Sequence, residues 1–115
     1  MRILLPILLA ACIFTACNNN SPVGVATEFL DCLVLKDFDC AKRHCTASGV
    51  MAISFIESVG KSEFAFTGYQ ITRDSVEGDK AWVYYDAEAN GQKRGSLVEL
   101  TKIDGKWKVD PSMRK

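Results

Sequence analysis

The chain has one histidine, no basic stripe, no internal repeat and no low-complexity block. Each deficit excludes a class of protein. Its 14 basic residues are balanced by 14 acidic ones, so it lacks the electrostatic footprint that nucleic-acid binding requires. It also lacks the polybasic patch that holds a protein to anionic lipid. His44 stands alone, which argues against a structural zinc site, because such sites usually take four protein ligands. No cofactor is expected. Without its first 16 residues the chain is roughly a hundred residues long, enough for one compact domain and not for two.

What is present begins with the leader. Arg2 supplies a positive start, and Ile3 to Thr15 then runs without a charge. This is the layout of a secretory signal, and it is too short for a membrane span of roughly 20 apolar residues. It ends at Phe14-Thr15-Ala16-Cys17 and turns polar at once with Asn18-Asn19-Asn20-Ser21-Pro22. The segment resembles the lipobox of bacterial lipoproteins, in which a small residue precedes a cysteine that is acylated before cleavage. Phe14 stands where that pattern prefers leucine. Leu9-Ala10-Ala11-Cys12 is a rival match, but it would halve the apolar region and leave Ile13-Phe14 behind the cut. The polar break after Cys17 favours cleavage between Ala16 and Cys17, with lipid on Cys17. The expected divisions are a signal at 1–16, a lipidated cysteine and tether at 17–22, and a domain at 23–113. A doubly acylated cysteine gives lasting membrane residence where one chain gives only marginal binding. The expected location is therefore the bacterial cell envelope, outside the cytoplasm, with the domain held close to the lipid.

The domain opens with helical spacing. Ala26, Phe29, Leu30 and Leu33 recur at i, i+3, i+4 and i+7, with Pro22 near the start, where a missing amide costs nothing. The pattern breaks at Lys36-Asp37-Phe38-Asp39, and Asp37 or Asp39 can cap a second short helix running through Ala41 to Cys45. Ala52, Phe55, Ile56 and Val59 form a third stripe that stops at Gly60. Beyond Lys61 the pattern becomes β. Phe64 to Arg73, Ala81 to Ala87, Gly95 to Ile103 and Lys106 to Val109 are strands, punctuated by Glu77-Gly78-Asp79, Asn90-Gly91 and Asp104-Gly105. Consecutive hairpins give an antiparallel meander that can shelter the helices. The predicted fold is α+β, with N-terminal helices followed by a curved four-stranded antiparallel sheet.

Three cysteines lie within the domain. Cys40 and Cys45, on one helix, would exceed the disulfide limit of roughly 7 Å between Cα atoms. Cys32 with Cys40, across the helix–helix turn, is the feasible bridge, and three unpaired small residues are an equal alternative.

Val25-Ala26…Phe29-Leu30-Asp31…Leu33…Lys36-Asp37-Phe38…Ala41 and the closing Leu100…Asp104-Gly105-Lys106-Trp107-Lys108-Val109-Asp110 resemble the small envelope lipoproteins of the domain of unknown function 4878. That family belongs to the nuclear-transport-factor-2-like superfamily, also called cystatin-like, of cone-shaped α+β folds. The resemblance spans nearly all of the domain. It implies a cone whose interior is lined by Phe29, Leu33, Phe66, Tyr85 and Trp107, as an open pocket or as a filled core. In this family the positions of Cys32 and Cys40 carry alanine and a polar residue, so a bridge between them would be peculiar to this chain. The superfamily includes ketosteroid isomerase and dehydratases beside binding modules, so fold does not choose between them.

An isomerase-like site needs a carboxylate base and an oxyanion donor such as tyrosine. Tyr69, Tyr84, Tyr85, Asp74, Asp86 and Glu99 are the available groups. Tyr85 shares its face with Val83 and Ala87 and points inward; Asp86 then faces away, and no acid clearly enters the interior. Cys40 and His44 share a helical face at a two-ligand spacing, with Cys45 adjacent, but His44 and Cys45 point to different sides and do not make a nucleophile–base pair. Trp82 and Tyr84, on the outer face of the sheet, mark a possible protein-partner or homodimer surface. The expectation is a non-catalytic module that binds a small apolar ligand or a protein, with a small isomerase- or dehydratase-like enzyme using Tyr85 as the alternative.

Overall fold

A computed structural model of the chain describes residues 21–60 and 65–111. The signal, the cleavage residues Ala16 and Cys17, and Asn18 to Asn20 of the tether lie outside the described residues. Helix α1 spans Pro22–Val34. Ser21 caps it, its Oγ accepting from the Gly24 N–H at 3.0 Å, and Pro22 occupies the first turn, where no amide is missed. The helix buries Val25, Ala26, Phe29, Leu30, Cys32 and Leu33. It ends in a Schellman turn: the Lys36 N–H donates to the Leu33 carbonyl at 3.0 Å and the Asp37 N–H to the Cys32 carbonyl at 2.9 Å. Lys36 takes the left-handed conformation there, at φ 59°.

Asp37 then caps α2, Phe38–Lys42, its Oδ1 accepting from the Cys40 N–H at 3.1 Å. The second helix ends sooner than its spacing suggests, because the sheet captures the residues that follow. The His44 carbonyl accepts from the Val109 N–H at 2.7 Å, and the Thr46 N–H donates to the Val109 carbonyl at 2.9 Å. Cys45 thereby forms a parallel bridge with Val109. Cys32 and Cys40 are joined by a disulfide with Cα atoms 5.6 Å apart.

Helix α3, Ala47–Val59, is capped by Thr46 and closes at Gly60, whose φ of 117° suits glycine. Its buried face is not the expected one. Gly49 and Ile53 are buried and Ile56 half-buried, while Phe55 is 69% exposed and Val59 56%. Helix α3 is apolar nearly all round, so periodicity alone does not choose a face. The choice falls at Gly49, where α3 crosses so near that an added Cβ would lie 2.6 Å from the Cys45 Cβ and 3.0 Å from the Val109 carbonyl oxygen.

Strands β1 (Phe66–Glu77), β2 (Lys80–Ala89), β3 (Gln92–Ile103) and β4 (Lys106–Val109) form one antiparallel sheet in sequential order. Asn90-Gly91 and Asp104-Gly105 all have positive φ, between 52° and 79°, as two-residue hairpins require. Register shifts between Phe66 and Gly68 and between Ile71 and Arg73 bend β1 and help to curve the sheet. Ala81, Val83, Val98, Leu100, Trp107 and Val109 are buried in one core with α1 and Phe38. The outer face is less open than strict alternation suggests. Thr101 is buried, its Oγ donating to the Asp79 carbonyl at 3.4 Å and accepting from Lys80 at 3.3 Å. Glu99, 7% exposed, lies between its cross-strand partner Trp82 and the Asp110 backbone, whose N–H donates to its carbonyl at 2.7 Å.

Candidate functional site

Strand β4 is short, and its pairing with β3 begins at Leu100. Earlier in β3, the space between the sheet and α3 is left unfilled. A cavity of about 210 Å3 lies there, partly open and predominantly apolar, with Phe29, Ile53, Tyr85, Val98 and Val109 among its lining. Ala52 stands at its α3 rim and Cys45 at the base of the helix. The opening follows from the geometry already described: Gly49 and Ala52 give α3 a small-residue side, and small side chains leave room over the sheet.

Of the five residues expected to line the cone, Phe29 and Tyr85 border this cavity, whereas Leu33, Phe66 and Trp107 are buried in the core. Tyr85 belongs to an aromatic group: its ring centroid is 6.4 Å from Phe66 and 6.5 Å from Tyr69, both edge-on. Phe66 and Tyr69 stack at 6.3 Å. The Tyr69 hydroxyl reaches α1, donating to Asp31 Oδ1 at 2.6 Å. Burial and then the Asp31 carboxylate hold the Tyr69 phenol well above its ordinary range, so it remains protonated.

Cys45, the free cysteine among the described residues, donates to the Ala41 carbonyl at 3.3 Å. Burial pushes its thiol up to about 11, against the opposing charge of Lys108. A nucleophilic cysteine needs the opposite shift. Burial also lowers the His44 pKa, with Glu28 opposing from 3.7 Å. Spacing had offered Cys40, His44 and Cys45 as a set; the fold instead gathers Cys32, Cys40 and His44, with their ligand atoms all within 4.8 Å.

Trp82 and Tyr84 lie on the face away from the helices and are half-buried, Tyr84 beneath the Arg73 guanidinium at 3.9 Å from the ring centroid. The more exposed apolar surface is on α3, where Met51, Phe55 and Val59 recur every four residues. The spacing of Phe55 and Val59 predicts that they face inward, since exposure on a helix of mostly small and apolar residues leaves little compositional mark. Among the described residues no helix is long and apolar enough to cross a membrane.

Three helices covering one face of a curved, sequential antiparallel sheet, with a cavity between them, define a cone-shaped α+β protein. The chain has the nuclear-transport-factor-2-like fold. It is similar to a Campylobacter jejuni protein described as an NTF2-like transpeptidase, at 19% identity and TM-score 0.58, covering 78% of this chain and 97% of that one. It is also similar to an NTF2-like protein of unknown function from Cytophaga hutchinsonii, at 14% identity and TM-score 0.55, covering 78% and 85%. A SEC-C motif-containing protein from Rhodopseudomonas palustris superposes at TM-score 0.60 with 18% identity, covering 80% and 77%. No protein-family model and no curated protein matches the sequence. At these identities the likeness is one of fold.

Proposed function

We propose that this is a lipid-anchored protein of the bacterial cell envelope, akin to the lipoproteins of the domain of unknown function 4878, that binds a small apolar ligand without transforming it. The cavity carries the binding half of this reading. Its volume of about 210 Å3 exceeds the roughly 150 Å3 known to admit benzene and falls below the roughly 300 Å3 at which drug-sized sites begin. A single ring or a short acyl chain fits, with the Tyr85 hydroxyl as a polar handle.

The chemistry around the cavity supports binding over catalysis. Tyr69 and Cys45 both hold their protons. Glu99 borders the cavity at the edge of β3, but it pairs with Trp82, while Tyr85 pairs with Ser96. Register therefore sends the carboxylate and the phenol to opposite faces, and an isomerase needs them together. The transpeptidase description belongs to the Campylobacter jejuni protein and does not travel with the fold.

The cavity is tested in the lipidated protein in nanodiscs, by titrating indole and following the methyl resonances of Ile53, Val98 and Val109. Saturable shifts with a Kd below about 1 mM, equivalent to roughly 4 kcal/mol, are expected. Ala52→Trp at the rim should abolish them. Shifts that stay linear, or that survive in the variant, would sink the ligand reading.

Anchoring rests on Phe14-Thr15-Ala16-Cys17 and the polar run after it. Intact mass of the protein from a bacterial membrane fraction should match a chain beginning at Cys17 plus its acyl groups. An unlipidated chain, or a different first residue, overturns it.

A further inference from the structure

Glu28 and Cys32 are four residues apart on α1, and Cys40 and His44 are four apart across α2 and its closing turn. In a helix that spacing puts both side chains on one face. The Schellman turn at Lys36 brings the two faces together. The ligand atoms of Cys32, Cys40 and His44 all lie within 4.8 Å of one another, and Glu28 Oε1 is 3.7 Å from His44 Nε2. Tetrahedral zinc, with Zn–S near 2.3 Å and Zn–N near 2.0 Å, sets its ligand atoms roughly 3.5–3.8 Å apart. Cys32, Cys40 and His44 therefore already stand close to a coordination shell, and Glu28, beside His44, is the carboxylate next to it. Their backbones are held independently of any ion: the Cys32 carbonyl accepts from Asp37 at 2.9 Å, and the His44 carbonyl accepts from Val109 at 2.7 Å.

We propose that reduction of the Cys32–Cys40 disulfide opens a site for a zinc-class divalent cation, with Cys32, Cys40 and His44 as ligands and Glu28 as the fourth. In the oxidised protein the two sulfurs are bonded to each other and cannot both serve as thiolates. A dithiol reductant supplies two electrons and two protons: the Cys32–Cys40 bond breaks to two thiols, and the reductant leaves as its own disulfide. Zinc then displaces both thiol protons to solvent as it binds. Disulfide exchange in the reverse direction expels the ion. Cys40 and His44 are half-exposed, so both reductant and ion can reach the site. This inference is independent of the apolar cavity. The nearby Cys45 is left out of the ligand set because its Sγ does not join the group that Cys32, Cys40 and His44 form; it points to the Ala41 carbonyl, 3.3 Å away.

Cobalt(II) is the probe, added to the full protein with and without prior reduction by a phosphine. Reduced protein should bind one equivalent, with a thiolate-to-cobalt charge-transfer band and intense tetrahedral d–d bands, and one equivalent of zinc should erase both. Oxidised protein should give neither. His44→Ala should weaken zinc binding at least about tenfold, Glu28→Gln should weaken it less, and Cys45→Ser should leave it unchanged. Circular dichroism of each variant separates loss of a ligand from loss of fold. Absence of the charge-transfer band in folded, reduced protein overturns the proposal. So does binding that depends on Cys45, or that is indifferent to His44 in a folded variant.

Discussion

Phe38→Ala is expected to lower the stability of the fold by about 4 kcal/mol, since truncating a buried phenylalanine removes both its transfer energy and the filling of its site. Phe38 is only 1% exposed and is among the largest fully enclosed side chains of the described residues. It sits at the first position of α2, immediately after the Asp37 cap, so collapse around the void would have to pull that cap and the Cys32–Cys40 connection with it. A domain of this size typically has a total stability of roughly 5–15 kcal/mol, so the variant should keep only a small margin. Urea unfolding measures it, as a lower midpoint with an unchanged slope. A loss under about 1 kcal/mol would show that Phe38 is not a keystone of the core.

Gly49→Ala should destabilise by about 2 kcal/mol, and the sign is the sharper part of the test. In an ordinary helix this change gains up to about 1 kcal/mol. Here the new Cβ would meet the Cys45 Cβ at 2.6 Å and the Val109 carbonyl oxygen at 3.0 Å. Neither neighbour is the far end of a flexible side chain, so α3 itself must move outward, an overpacking cost of roughly 1–3 kcal/mol or more. That movement would weaken the Thr46 contacts with Val109 and Asp110, at 3.3 and 3.1 Å. Thermal unfolding of the variant beside the parent decides it. A raised melting temperature would mean that α3 does not cross where the fold places it.

These two residues mark where sequence reasoning reached and where it stopped. Phe38 lies in Lys36-Asp37-Phe38-Asp39, a stretch that breaks helical periodicity and reads locally as a connection. Its burial is set by α1 ending at Val34 and α2 starting at Phe38 after a tight turn, which turns a linker residue into the core. Gly49 carries no signal in a helix of small and apolar residues, because only the neighbour across the gap requires it. The candidate site was divided in the same way. Phe29 is legible from its helical spacing and Tyr85 from its alternation along a strand, but Gly49, Ala52 and Cys45 line the cavity through the path of α3. The pairing of Glu28 with His44 was hidden because Glu28 lies on α1 and His44 in the turn that closes α2, 16 residues further along the chain.

Local chemistry by itself determined the element order, a cap at Asp37 or Asp39, the glycine hairpins and the sequential antiparallel sheet, because caps, turns and strand alternation act over a few neighbouring residues. Tertiary structure decided which face of α3 is buried, where a cavity remains, and which ligating side chains meet. Those outcomes depend on distances between segments far apart in the chain, and no short stretch of sequence encodes such a distance.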